Sequence, residues 1–316
     1  MTIFSIFLLA LLVNPVHAQE IAALDTTSIA SSPRHPEPGD EVTLSLQAYA
    51  RNTNASTISW FVDGVEQMEA KNSRVLTLTA GALGTEQIIT AQISEPDGSK
   101  IAVNYRLQPV RLDIVVEADT LTPAFYDRRA LPSVGSLVRA VALTYEGIAQ
   151  SPQSYSYRWQ LNNDVLYGGP VRGQHIAEFT MPTKRDSVLS VDVIDETGQT
   201  IASEALFLPN VEPFILFYPD NPLRGISRNE TGENYILVSK EIDIRAEPYF
   251  LARDIFDIDP LLRWRIDNQT IQNPNSDQQT ITLQNAGGSG RFRVEFELRN
   301  KTRLTQGAEN YFVLQF

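Results

Sequence analysis

The sequence predicts an all-β chain, three tandem β-sandwiches behind an N-terminal signal peptide. Three observations carry that expectation. The only tryptophans, Trp60, Trp159 and Trp264, recur at intervals of about 100 residues, the period of a domain and not of a short solenoid repeat. Each lies in a strand of alternating apolar residues that runs into a tight turn. A second alternating strand follows each tryptophan at an almost constant distance.

Taken in order, residues 1–18 read as an export signal. Ile3 to Val13 is an apolar run of signal-peptide length, Asn14-Pro15 breaks it, and Val16-His17-Ala18 places small residues before a cleavage point at Gln19. The run is too short to span a bilayer comfortably. Met1-Thr2 contributes no Lys or Arg, so the α-amino group is the only cation ahead of it. No later stretch is apolar enough to serve as an anchor, and the expected product is exported to the periplasm, the cell surface or the medium. The chain has no cysteine. An exported fold without disulfides must rest on its cores, which suits a bacterial protein, and 42% apolar content over 316 residues is ample for them.

The tryptophan strands are "ISWFVDGV" (58–65), "YRWQLNND" (157–164) and "LRWRIDNQ" (262–269). With a side-chain period of 2, Ile58, Trp60 and Val62 share one face, as do Tyr157, Trp159 and Leu161, and Leu262, Trp264 and Ile266; Arg263 and Arg265 point the other way. Asp63-Gly64, Asn162-Asn163 and Asp267-Asn268 suit the positive φ angles of two-residue hairpin turns. The second strands place Ile89, Ala91 and Ile93, then Leu189, Val191 and Val193, then Val294, Phe296 and Leu298 inward. Turn signals follow at Asp97-Gly98 and Thr197-Gly198, and a last strand closes each repeat at Pro109, Pro209 and Phe316. The expected division is therefore 19–109, 110–209 and 210–316. Linkers of almost no length at the two prolines predict restricted hinges.

With tryptophan on a central strand and about seven short strands per repeat, each unit resembles an immunoglobulin-like β-sandwich. "PEPGDEVTLSLQAYA" (36–50) is similar to the opening segment and second strand of bacterial Ig-like and PKD-like domains in exported envelope proteins. The sequence lacks the paired Ig cysteines and the Trp-Asp-Phe-Gly-Asp-Gly run of PKD domains. The resemblance implies a fold and a compartment, not an activity.

Three tryptophans at one inward parity suit a core between two sheets better than a sugar platform, so Trp60, Trp159 and Trp264 are expected to be structural. Tyr49, Tyr145 and Tyr249 precede them near the end of the second strand, where each is expected to cap its own core with the hydroxyl in solvent. Phe125, Tyr126 and Phe250 lie in the loops "PAFYDRRALP" and "PYFLARDIF" beside Pro and charge. They are the contact candidates, toward a partner or toward an adjacent sandwich; Phe214 and Phe217 are also available near the junctions.

Few residues suit catalysis. Removal of the leader would leave His35 and His175 in different repeats, so neither a Ser-His-Asp nor a Cys-His arrangement is legible, and zinc lacks soft ligands. "RDIFDID" gathers Asp254, Asp257 and Asp259, an oxygen-rich loop of the kind Ca²⁺ takes, although its spacing matches no EF-hand and a solvated acidic loop has the same composition. "NAGGSGR" (285–291) lies between strands and has no following helix to hold phosphate. Asn54, Asn229, Asn268 and Asn300 begin sequons to which a bacterial context assigns no role. With 26 Lys and Arg against 38 Asp and Glu, a formal charge of −12 opposes binding to nucleic acid or anionic lipid. The sequence points to a non-catalytic exported protein, of the cell envelope or the exterior, whose sandwiches act as spacers and protein-contact surfaces. The alternative is a glycan-binding module or an auxiliary subunit of a polysaccharide-acting system.

Overall fold

The computed structural model describes residues 27–48, 55–145, 151–285 and 287–316, so the expected leader, Tyr49 and Asn54 lie outside the described residues. No helix among these residues is long and apolar enough to cross a membrane. Strands fill six sheets, which fall as consecutive pairs along the chain.

One compact unit holds the first pair. Glu41–Ala48 pairs on one side with Thr27–Ser32 and on the other with Val75–Thr79; the second sheet runs Val65–Glu66, Thr57–Val62, Gln87–Ser94, Lys100–Leu107. Alternation fixes which face is buried: Val42, Leu44, Trp60, Ile89, Ala91 and Ile93 are fully enclosed.

The second compact unit contains Gln108–Phe316 and two such pairs. The middle pair has a sheet of Ile176–Thr180, Leu137–Thr144 and Leu112–Ala118, and another of Asp164–Val165, Ser156–Leu161, Asp186–Ile194 and Thr200–Pro209. Val138, Tyr157, Trp159, Leu189 and Val191 fill its core. The last pair has Phe214–Asn221, Glu241–Tyr249 and Thr280–Gln284 in one sheet, and Gln269–Ile271, Leu261–Ile266, Arg291–Arg299 and Gly307–Gln315 in the other. Phe217, Ile244, Trp264, Phe296 and Phe312 fill that core. Short extra strands add to these, among them Asn234–Ile236, which runs parallel to Gly307–Gln315.

Leaving the short additions aside, every pair has its strands in the order 1-2-5 and 4-3-6-7, the arrangement of an immunoglobulin-like sandwich with a short fourth strand. The cross-strand partners of the tryptophans are the residues that the spacing singles out: Trp60 faces Ala91, Trp159 faces Val191 and Trp264 faces Phe296. All three indoles are 2% exposed or less. Each indole N–H also donates to a backbone carbonyl, of Ser73 at 2.9 Å, Gln174 at 2.8 Å and Gln278 at 2.9 Å. A buried donor without such an acceptor would be destabilising.

The three hairpin turns have positive φ at both central residues: 51° and 81° at Asp63-Gly64, 53° and 73° at Asn162-Asn163, 46° and 67° at Asp267-Asn268. Positive φ explains Gly and Asn, but the first position has a second role. Oδ1 of Asp63, Asn162 and Asp267 accepts from the backbone N–H of Ile88, Val188 and Arg293, at 2.8, 3.1 and 2.9 Å. The same three residues donate their own N–H to the carbonyls of Ile88, Val188 and Arg293. Each turn is thereby pinned to the sixth strand of its sandwich.

Candidate functional site

Within the second unit, the middle and last sandwiches meet at a built junction. The chain leaving Leu112–Ala118 does not turn straight into its partner strand but makes an excursion, residues 119–136, against the last sandwich. Leu121 N–H donates to the Leu251 carbonyl and Phe250 N–H returns to the Leu121 carbonyl, both at 2.7 Å, while Thr120 bridges Ala252. A short antiparallel ladder thus joins the two sandwiches. Phe250 sits at φ 61°, which an aromatic residue rarely adopts; besides its N–H, its carbonyl is taken, accepting from Ser133 Oγ at 2.6 Å.

Beneath that ladder is a buried polar node. Gln306 accepts from Ala252 N–H at 2.6 Å and donates to Ser133 Oγ at 3.0 Å and to the Val134 carbonyl. Thr120, Ser133, Ser136 and Gln306 are all fully buried, which is tolerable because their polar atoms find partners: Thr120 Oγ1 donates to the Leu131 carbonyl and Ser136 Oγ accepts from Ser133 N–H. At the rim, Arg253 Nε meets Asp119 at 3.0 Å and Arg303 Nη1 donates to the Gly135 carbonyl at 3.3 Å.

Beside the node, six aromatic rings cluster. Phe125 meets Tyr218 edge-on with centroids 5.1 Å apart, Tyr126 meets Tyr249 at 5.7 Å and Phe250 at 6.0 Å, and Phe214 stacks on Tyr249 at 4.7 Å. The hydroxyls of Tyr218 and Tyr249 lie 2.7 Å apart. Burial pushes both phenols above the usual tyrosine range, Tyr249 further because its bond to Tyr218 and the nearby negative charge add to it. The structure therefore brings together Phe125, Tyr126 and Phe250, and with them Phe214. Phe217 goes elsewhere: its strand parity turns it into the last core, against Phe312 and Trp264.

One of the capping tyrosines differs from expectation. Tyr249 points its hydroxyl to Tyr218 and not to solvent, because the 119–136 excursion covers the sheet face it occupies. Tyr145 is 41% exposed and lies under the Arg111 guanidinium, 4.9 Å from the ring centroid. The acidic run also differs from a loop, forming a 3₁₀ helix over Arg253–Ile258 that buries Ile255. Asp254 is held by Arg303 at 2.5 Å and Asp259 by Lys301 at 2.6 Å, and among the described residues no three His, Cys, Asp or Glu side chains converge as a metal ion requires. His175 Nδ1 lies 2.9 Å from the Gly173 carbonyl.

A polar cleft opens in the middle sandwich, lined by Ser154, Ser156, Arg158, Arg172, Asp195 and Glu196 among others. Arg172 pairs with Glu196 across it at 3.3 Å. Its lining supplies hydroxyls and charges but no aromatic ring on which a sugar could stack.

No protein-family profile matches the sequence, and no curated protein sequence matches it. Among solved structures, the chain is similar to the three N-terminal domains of the bacteriophage RB49 Highly Immunogenic Outer Capsid protein (Hoc), at 11% identity and a TM-score of 0.27, over 92% of this chain and 98% of that one. It is similar to the fibronectin(III)-like modules of Clostridium thermocellum CbhA at 13% identity and a TM-score of 0.28, over 58% of this chain and 93% of that one. It is also similar to the Bacteroides ovatus mixed-linkage glucan utilization locus SGBP-B, solved with a mixed-linkage heptasaccharide, at 12% identity and a TM-score of 0.23, over 92% and 70% of the respective chains.

Proposed function

We propose that this chain is a non-catalytic protein of the cell envelope or exterior, exported by residues 1–18, whose tandem immunoglobulin-like sandwiches act as a spacer and as protein-contact surfaces. The observation that carries the reading is the junction of the middle and last sandwiches. A spacer transmits position only if its modules hold their mutual orientation, and domain pairs with small polar interfaces move by default. Here a backbone ladder, a buried side-chain node and an aromatic cluster act on the same contact. The groups gathered there satisfy one another, so their chemistry is that of a fastener. A glycan-binding role ranks second, since the polar cleft of the middle sandwich offers no stacking surface.

The reading is tested by the distance distribution between two spin labels on the full chain, at Gln199→Cys and Val238→Cys. Both sites are exposed and the chain has no cysteine of its own. A narrow distribution supports a held pair. A distribution as broad as that of a flexibly linked pair would overturn the spacer reading. Export is tested by the intact mass of the secreted protein, expected to begin at Gln19.

A further inference from the structure

The outer face of one sheet in the last sandwich carries a charge lattice that its sister sheets lack. The two residues flanking each tryptophan point outward, and their cross-strand partners stand beside them. In the first sandwich these are Ser59 with Gln92 and Phe61 with Thr90; in the middle one, Arg158 with Asp192 and Gln160 with Ser190. In the last they are Arg263 with Glu297 and Arg265 with Glu295. Arg293, Arg299, Glu309 and Tyr311 extend the same face. Two sheets of identical strand order do without such a lattice, so the fold does not require it, and ion pairs of this kind contribute little net stability.

The lattice is layered. Glu295 and Glu297 are only 7% and 5% exposed although they stand on an outer face, because guanidinium groups lie over them. Arg263 bonds Glu297; Arg265 reaches Glu295 at 2.8 Å and Glu297 at 3.0 Å; Arg293 reaches Glu295 at 3.4 Å and Arg299 reaches Glu297 at 3.2 Å. Arg293 also stacks on Tyr311, 3.6 Å from the ring centroid. Four arginines thus cover Glu295 and Glu297, which hold them in place; Glu309, 3.6 Å from Arg265, is the one exposed carboxylate among them, so cations outnumber exposed anions on this face of a protein whose formal charge is −12. Every cation in it is arginine. Arginine is weakly hydrated and its fork keeps N–H donors free after one carboxylate is bound, which suits contacts that must shed water. Arg and Tyr are also the side chains that dominate protein interfaces.

We propose that this face, Arg263, Arg265, Arg293, Arg299 and Tyr311, is a docking surface for a carboxylate-rich polypeptide. The sign of the charge selects an acidic partner. The face is a flat sheet and Tyr311 is already covered by Arg293, which favours a protein surface over a stacked sugar. The inference rests on the contact-surface reading above and names its place and partner chemistry.

The test uses the full chain and fluorescent poly-L-glutamate at low salt. Binding is expected to fall about tenfold in Arg293→Gln/Arg299→Gln and to weaken as salt rises, while Arg158→Gln/Arg172→Gln, on the middle sandwich, binds as the parent does. If the Gln pair fails to fold, Arg293→Lys/Arg299→Lys retains the charge but not the fork and should bind several-fold more weakly. No binding at low salt, an equal loss in the middle-sandwich variant, undiminished affinity in the Lys variant, or tighter binding of polygalacturonate than of polyglutamate would each overturn it. The spin-label distances do not depend on this face, so loss of docking leaves the spacer reading standing.

Discussion

Gln306 Nε2 donates to Ser133 Oγ at 3.0 Å across 173 residues of sequence, with both side chains fully buried. The bond ties the turn just ahead of the last strand of one sandwich to the segment entering the second strand of another. Because Gln306 also accepts from Ala252 N–H, one amide satisfies groups from both partners. Its removal leaves a buried donor and a buried acceptor without water.

Gln306→Ala is therefore expected to destabilise the second unit by about 3 kcal/mol, the sum of two stranded polar groups. Urea unfolding should also lose cooperativity, because the middle and last sandwiches then keep the ladder, the Ser133–Phe250 bond, the rim arginines and the aromatic rings but not the amide that links both partners. A loss under about 1 kcal/mol would mean that water reaches the node.

The Tyr218 and Tyr249 hydroxyls give a paired test. Tyr218→Phe strands the Tyr249 hydroxyl and should cost about 1–3 kcal/mol, whereas Tyr218→Phe/Tyr249→Phe removes both polar atoms and should cost less than either single change. The pH dependence has a definite sign. Both phenols are raised in the folded chain, so as pH rises through the ordinary tyrosine range the unfolded chain ionises first and stability falls. The double Phe variant should show a shallower alkaline decline by thermal unfolding.

What was legible in the sequence follows from what is local. Alternation and turn chemistry place Trp60, Trp159 and Trp264 on central strands opposite Ala91, Val191 and Phe296, because both signals are written within a few residues. The acceptors of the indole N–H groups are backbone carbonyls of Ser73, Gln174 and Gln278, and a carbonyl has no residue identity to read. The Asp or Asn opening each hairpin was readable for its φ but not for its bond to the sixth strand. Ser133 and Gln306 sit in no periodic pattern at all. Tyr249 illustrates the difference: its strand position was clear, but its hydroxyl's partner depended on an excursion from another sandwich. Arg263 and Arg265 could be turned outward from parity, while the carboxylates beneath them come from a strand about 30 residues later and required the register.

The tryptophans allow packing and hydrogen bonding to be separated. Trp264→Ala should cost about 3–5 kcal/mol, since the indole fills the last core against Phe296 and Phe217. Trp264→Phe keeps much of that contact and removes the N–H donated to the Gln278 carbonyl, which still accepts from Asn273 Nδ2 at 3.4 Å, so about 0.5–1.5 kcal/mol is expected. Urea midpoints of the two variants should differ accordingly. Equal losses would mean that the hydrogen bond accounts for the whole effect and the ring packing adds nothing, contrary to the packing argument.

Glu247 and Glu297 are both largely buried and both bonded to arginine, yet they shift in opposite directions. For Glu247 the loss of water outweighs the hydrogen bond and charge of Arg245, and its carboxyl is raised. For Glu297 burial acts the same way, but the bonds from Arg263 and Arg299, with the charges of Arg263 and Arg265, outweigh it and its carboxyl is lowered. A lowered folded-state value means stability that is present above the ordinary glutamate value and is lost as pH falls through the folded one. A raised value means the reverse: the folded chain takes up a proton first, so stability grows as pH falls from neutral through the raised value. Glu297→Gln should therefore destabilise the chain at neutral pH, by about 1–2 kcal/mol after allowance for the partly exposed arginines, and the deficit should close only below the ordinary glutamate range. Glu247→Gln should stay within about 1 kcal/mol of the parent at neutral pH, and the parent should gain on it under mildly acidic conditions, above that range. Urea midpoints measured from neutral to acid pH distinguish the two. If both variants converge with the parent in the same pH window, the opposed shifts are wrong, and the arginine lattice does not hold Glu297 as its geometry implies.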